Sequence, residues 1–214
     1  MNWFKSMFSR KSISNIVSLE PDFPIPFGYK IAWYVIKGET PLSAIEKLKL
    51  TVISEANWET GLKEAYAEDK VFVSPLVKNC VLVVNLIPWK NDHVKVDGKL
   101  FSELQYFGNH RVAEYYSWAK FIDGELLRFY TYVGGEGQLE SEGDLTPEEL
   151  NLGFYKYPQE DYFDNWTDKD WDLAVFPDED SVIGIAQSWG IDPFFSEQGY
   201  EKGLGYICRY EQRS

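Results

Sequence analysis

The clearest pattern along the chain is a pair of alternating runs, RVAEYYSWAKFI and ELLRFYTYV, on either side of Asp123-Gly124. Asp-Gly readily adopts the positive φ angles of a type I′ turn, so residues 111–133 are predicted to form a two-stranded hairpin. A turn at these two residues pairs Ile122 with Glu125, Phe121 with Leu126, Lys120 with Leu127, Ala119 with Arg128, Trp118 with Phe129, Ser117 with Tyr130, Tyr116 with Thr131 and Tyr115 with Tyr132. Large rings fall on both faces, which argues for a strand pair covered on two sides in the middle of a sheet.

The pattern upstream alternates between strand and helix. Residues 29–36 (YKIAWYVI) read as a strand. Thr40-Pro41 supplies a cap and a first-turn proline for a helix to about Leu48. Residues 51–55 return as a strand, and Asn57 caps a helix with Trp58, Leu62, Ala65 and Tyr66 on one face. VFVSPLV and CVLVVNLI flank Lys78-Asn79 as a second hairpin, where Pro75 requires an edge position or a bulge. Residues 91–99 read as a polar turn, and residues 101–107 as a brief helix stopped by Gly108.

Downstream, Thr146-Pro147-Glu148-Glu149 has the form of a capping box. Asp178 caps a helix with Val182, Ile185, Ala186 and Trp189 on one side and Gly190 as its stop. Residues 204–210 form a last strand. The expectation is a single α+β domain over residues 21–214, a central, mainly antiparallel sheet with helices packed on it. The run of Pro21, Pro24 and Pro26 leads into it in extended form. Residues 1–20 precede it as a tail or amphipathic helix, in which Trp3, Phe4, Met7 and Phe8 share a face. Membrane contact through that face is disfavoured because so short an apolar stripe attaches weakly.

Composition supports a folded domain. The chain has 214 residues, 44 % hydrophobic and 17 % aromatic, enough for a substantial core. Cys80 and Cys208 lie inside apolar runs and are expected as buried free thiols. No stretch reaches the roughly 20 apolar residues that span a bilayer, and no signal-peptide pattern opens the chain, so a cytoplasmic location is expected.

Charge changes the picture more than any motif. Fifteen of the 34 acidic residues lie between Glu136 and Asp180, against two of the 21 basic ones, which leaves nineteen of each elsewhere. The net charge of −13 therefore belongs to one region. Such a surface repels phosphate backbones, which disfavours nucleic-acid binding, and attracts a basic protein partner. Glu148, Glu149, Asp168, Asp170 and Asp172 are the candidate charged contacts, and Tyr162, Trp166 and Trp171 the candidate anchors.

Catalytic motifs are sparse. The chain lacks a Gly-x-Ser-x-Gly elbow, a phosphate loop and a Cys-x-x-Cys pair. Gly134-Gly135-Glu136-Gly137 is not followed by a helix that would present its N-terminus to phosphate, and reads as a turn. His93 and His110 lack the i, i+4 spacing of a zinc helix. Asp168, Asp170, Asp172 and Glu179 match four positions of a calcium loop, but Leu173 stands where glycine is needed and Pro177 interrupts it. No metal or cofactor is expected. Glu114 is the one catalytic candidate, as a hydrolase carboxylate among aromatic rings, with Arg111, Arg128, Tyr115 and Tyr130 as polar company. The structural counterpart is a buried Glu–Arg network.

GYKIAWYVI, NWETGLKEAY, VFVSPLVKNCVLVV and HRVAEYYSWAKFIDGELLRFYTYVGGEG together resemble a group of uncharacterised single-domain bacterial proteins, over roughly residues 28–190. In kind, the acidic, aromatic-rich α+β design also resembles immunity proteins of bacterial toxin systems, including the SUKH-type class. That second resemblance implies a non-catalytic protein-interaction module that binds a basic partner such as a toxin domain. The alternative is a carbohydrate-active or other hydrolytic enzyme that uses Glu114.

Overall fold

A computed structural model describes residues 17–67, 70–85, 91–134, 136–154, 167–169 and 175–210. In chain order the elements are β1 (Ile31–Lys37), α1 (Pro41–Lys47), β2 (Leu50–Ala56), α2 (Trp58–Ala67), β3 (Val71–Val73), β4 (Cys80–Val84), α3 (Asn91–Gly98), β5 (Glu103–His110), a 3₁₀ turn (Arg111–Ala113), β6 (Tyr115–Ile122), β7 (Glu125–Val133), β8 (Gly137–Glu142), α4 (Pro147–Asn151), α5 (Glu179–Trp189) and β9 (Gly205–Tyr210). The nine strands form one sheet in the order β2-β9-β3-β4-β1-β5-β6-β7-β8, every neighbouring pair antiparallel. This is the expected α+β domain, with β1 at its middle. The β6–β7 hairpin lies toward one side of the sheet.

Strands in the middle are apolar on both faces because helices cover both. On one face α2 and α5 pack over Trp33, Phe72, Phe107, Trp118 and Tyr130. On the other, α1 and α3 pack over Tyr34, Val83, Tyr106, Ala119, Phe121 and Phe129. Trp33, Phe107, Trp118 and Tyr130 stand opposite one another on four consecutive strands. Their rings stack at 5.2 Å (Trp33–Phe107) and 4.6 Å (Trp118–Tyr130), a cross-strand row that stabilises the pairing.

Helix starts follow the local chemistry. Thr40 Oγ1 accepts from Ser43 N, Asn57 Oδ1 accepts from Thr60 N, and Asp178 and Ser181 form a reciprocal capping box. Asp22 adds a second anchor by accepting from Trp58 N at 2.7 Å and Glu59 N at 3.1 Å, which ties the entering chain to α2. Tyr66, expected on the packed face of α2, is half exposed, and Gly61 takes its place against the Phe72 ring.

Three expectations are corrected. Where the sequence pattern predicts a helix over residues 101–107, Glu103–His110 form strand β5, and where it predicts a turn over residues 91–99, Asn91–Gly98 form helix α3. In β5 the polar Gln105 and Asn109 occupy alternate positions under α5. Gln105 Nε2 donates to Trp189 O at 3.1 Å and Asn109 Nδ2 reaches Glu179 O at 3.5 Å. The two amides thus hold the last and first residues of α5. Ten residues of helix span about 15 Å, and four residues of strand span about 14 Å, so the spacings agree. Polar residues that look like a helix face in the sequence are clamps for a neighbouring helix.

The third correction concerns the hairpin register. Asp123 and Gly124 have φ of 50° and 77°, the turn expected, and Ile122–Glu125 and Phe121–Leu126 pair as predicted. Beyond them Lys120 stands opposite Arg128 and Trp118 opposite Tyr130, because Leu127 is an extra residue in β7. This bulge moves every later residue of β7 to the other face. Two more bulges sit in the outermost strands, at Ile53 in β2 and at Leu139 in β8. In the β3–β4 hairpin, Lys78 and Asn79 form the turn with φ of 48° and 64°. Pro75-Leu76 carries one residue more than the segment it faces, and Ser74 Oγ accepts from Leu82 N. β3 is interior, between β9 and β4, so the proline is accommodated by the bulge and not by an edge.

Cys80 and Cys208 are buried free thiols, as expected. Among the described residues no helix is long and apolar enough to cross a membrane.

Candidate functional site

The bulge at Leu127 turns Arg128 toward α4, where it meets Glu149. Arg128 is 1 % exposed and Glu149 is fully buried. Arg128 Nε donates to both carboxylate oxygens at 2.8 and 2.9 Å, and Nη2 lies 2.8 Å from Oε1. Trp118 Nε1 and Thr146 N also donate to Glu149, at 3.0 and 2.8 Å. Arg128 Nη1 donates to Phe129 O, Ser141 Oγ and Glu142 O. Gly143, at φ 76°, lies so close to the bulge that a Cβ would stand 2.0 Å from Leu127 O. A Glu–Arg network therefore exists, but its carboxylate comes from Glu149 and not from Glu114. Glu149 is committed to the capping box and to Arg128, which removes it from the surface contacts expected of it.

Glu148 is half-buried in the first turn of α4, and Asp168 is exposed. Tyr162, Trp166, Asp170, Trp171 and Asp172 lie outside the described residues, as do Trp3, Phe4, Met7 and Phe8.

A different group of acidic residues gathers at the open end of the β6–β7 hairpin. One step beyond the aromatic row, Asn109, Tyr116 and Tyr132 stand opposite one another on β5, β6 and β7. The Tyr116 and Tyr132 rings lie 6.4 Å apart at 17°, and Phe176 meets Tyr132 edge-on. Glu114 closes the row. It caps the 3₁₀ turn in the left-handed region, φ 48° and ψ 35°, and its carbonyl accepts from Gly134 N at 3.0 Å. A Cβ on Gly134 would fall 1.6 Å from Glu114 Oε2 and 2.4 Å from Glu114 Cβ, so glycine is needed where this side chain folds back.

The N-terminus of α5 brings Asp178, Glu179 and Asp180 to the same place. Arg111 Nη1 lies 3.7 Å from Glu179 Oε2, and Tyr29 donates to Asp180 Oδ1 at 3.4 Å. The phenols register this field. Burial raises the Tyr116 pKa, Glu179, Glu114 and Asp178 raise it further, and Arg111 opposes them. Burial and then Glu114 raise that of Tyr132. Burial followed by Asp180, Glu179 and Asp178 does the same to Tyr29. Desolvation and like charge both disfavour a phenolate, so these hydroxyls stay protonated donors beside carboxylate acceptors.

A recess lies at the turn end of the same hairpin. It is a cleft of about 610 Å³ lined by Lys95, Lys99, Phe121, Asp123, Glu125 and Glu142, among others. Lys95 is paired with Glu140 and Glu142 and lies over the Phe129 ring. This cleft sets cations against carboxylates, whereas the open end of the hairpin gathers Glu114, Asp178, Glu179 and Asp180 against Arg111, around a buried Tyr116, a half-buried Tyr132 and an exposed Tyr29.

Sequence reasoning identified Glu114 and the acidity of 136–180, but not that Asp178, Glu179 and Asp180 join Glu114. The signal was present in the capping residues of α5; what was missing was the position of that helix on β5. The chain matches no protein-family profile, no curated protein and no solved structure.

Proposed function

We propose that this chain is a non-catalytic protein-interaction module, of the kind found among bacterial toxin-immunity proteins, that captures a basic protein partner in the cytoplasm. The observation that carries this reading is the grouping of Glu114, Asp178, Glu179 and Asp180 around Tyr29, Tyr116 and Tyr132. Clustered carboxylates speed encounter with a basic surface, and tyrosine rings supply rigid contact area at low entropic cost. The test titrates purified basic toxin domains, of pI above ~9, into the chain by calorimetry at low and high salt. Wild type binds a member of the panel and loses it with salt, whereas Glu114→Lys combined with Asp180→Lys abolishes the heat. Binding that is unchanged by the double reversal sinks the proposal.

The enzyme reading rests on the same Glu114, held beside two phenols. Glu114→Gln would then abolish hydrolysis of a carbohydrate panel without loss of folding, and an inactive wild type across that panel counts against it.

A further inference from the structure

Asn109 sits beneath the acidic group and is 1 % exposed. Its Nδ2 reaches the Glu179 carbonyl, but its Oδ1 has no hydrogen-bond partner. A buried amide oxygen without a donor is costly and calls for an explanation. Gln105 Oε1, at the other end of α5, is in the same condition. The difference lies in the surroundings. Gln105 is enclosed by the Lys37–Glu103 ion pair and the Trp189 carbonyl, which Lys37 Nζ also reaches. Asn109 lies in the row with Tyr116 and Tyr132, under a group of carboxylates that carries more negative charge than Arg111 offsets.

Arg111 itself shows what kind of group fits. Its side chain is 67 % exposed and its nitrogen stays 3.7 Å from Glu179, beyond hydrogen-bonding range. The guanidinium is drawn to the site and does not fill it. Glu114, meanwhile, is fixed over the row at the expense of a left-handed backbone and an obligatory glycine neighbour.

We infer that the row Asn109–Tyr116–Tyr132, walled by Glu114 and Glu179, is the seat for an arginine side chain of the basic partner. A guanidinium is planar, weakly hydrated and carries five N–H donors in a fixed fork. It can lie flat on a tyrosine ring while its edges donate to Glu114 and Glu179. Its innermost N–H reaches Asn109 Oδ1 once Arg111 is displaced and the Glu179 side chain, 19 % exposed, swings off the buried Tyr116 and Asn109 to meet the outer edge of the guanidinium. An ammonium offers a point charge and no flat face, so it satisfies the carboxylates but not the whole row. This inference rests on the interaction-module reading and names the chemical group that reading would place here.

The experiment uses the full chain, isotopically labelled, and three probes: Nα-acetyl-arginine amide, Nα-acetyl-lysine amide and the neutral isostere Nα-acetyl-citrulline amide. Binding is followed by NMR at the Asn109 side-chain amide and at the tyrosine ring carbons. The arginine probe shifts Asn109, Tyr116 and Tyr132 and binds about tenfold more tightly than the lysine probe; citrulline produces no shift. Glu114→Gln and Asn109→Leu each weaken the arginine probe by about tenfold, and Arg111→Gln strengthens it by removing the internal competitor. Glu114 and Arg111 are exposed, so their variants remain informative if Asn109→Leu fails to fold. Equal affinity for lysine, shifts confined to other residues, or indifference to Glu114→Gln overturns the inference. A toxin domain that binds while the arginine probe leaves this row untouched defeats the seat and spares the module. A probe that binds here while the Lys reversals leave toxin-domain capture unchanged does the opposite.

Discussion

Removing the carboxylate of Glu149 is the most demanding test of how this domain is held together. Glu149→Leu leaves the Arg128 guanidinium buried without its counter-ion, a change that costs about 3–5 kcal/mol. Trp118 Nε1 and Thr146 N lose an acceptor as well, and the capping box accounts for about 1 kcal/mol. Against a total stability of about 5–15 kcal/mol, such a loss brings the protein near its threshold. At about 2–4 °C per kcal/mol for a domain of this size, the melting temperature falls by about 8–24 °C. Arg128→Met alone leaves a buried carboxylate and is expected to cost a similar 3–5 kcal/mol or so. The double variant removes both charges and leaves only neutral groups unsatisfied, at about 1 kcal/mol each. It should therefore be more stable than either single variant, with a coupling of at least about 2 kcal/mol. Urea denaturation followed by tryptophan fluorescence and far-UV circular dichroism measures all four corners of this cycle. Additive losses, or a Glu149→Leu variant within about 1 kcal/mol of wild type, would refute the description of Arg128 and Glu149 as one desolvated pair.

Further outcomes can be checked independently. Glu114→Gln should lower the pKa of Tyr132 and Tyr116 toward the ordinary phenol value, read from tyrosine ring-carbon shifts in an alkaline titration; unchanged values would mean that Glu114 does not sit over the pair. Gly143→Ala forces a side chain onto Leu127 O at a positive φ and should destabilise by more than about 1 kcal/mol, measured as a shift in urea midpoint. Burial pushes the Cys208 thiol up to about 12 and raises that of Cys80, so neither should react with a thiol reagent in the native state at pH 8, and both should react in urea. Hydrogen bonds from Lys47 and then Ser43 hold the Glu39 pKa below its ordinary value, and those from Lys95 act likewise on Glu142. Depressed carboxyls stabilise above their unfolded pKa and lose that contribution as pH falls through the folded one, so Lys47→Met should lower stability slightly at pH 7, flatten the decline below about pH 4.5, and converge with wild type in acid where Glu39 is protonated.

What could be read from the sequence was local. Thr40, Asn57, Thr146 and Asp178 cap helices as their neighbours require, and Asp123-Gly124 turns as expected because its φ angles are a property of two residues. What could not be read depends on partners distant in sequence. ELQYFGNH is a strand because it lies between β1 and β6 and beneath α5, and its amides look misplaced until the ends of that helix are set upon them. The extra residue at Leu127 is favoured only because Gly143 and Arg128 accept it, so turn chemistry alone predicts the wrong face for Arg128. The acidic run was visible as composition. Its division into a buried Glu149, a half-buried Glu148 and an exposed cluster at the start of α5 follows from the fold.

The bulges in the two outermost strands bear on how the molecule behaves at high concentration. Among the described residues, the nine-stranded sheet ends at β2 and β8, each with a row of backbone donors and acceptors that pairs with no further strand and is able to template another chain. At Ile53 and at Leu139 the hydrogen-bond repeat is broken by one residue, so an incoming strand that starts in phase falls out of phase midway. On the β8 side Glu140 and Glu142 add charge to the same border. Growth of the sheet from molecule to molecule is thereby frustrated at both ends, which protects so aromatic and β-rich a chain from fibrous assembly.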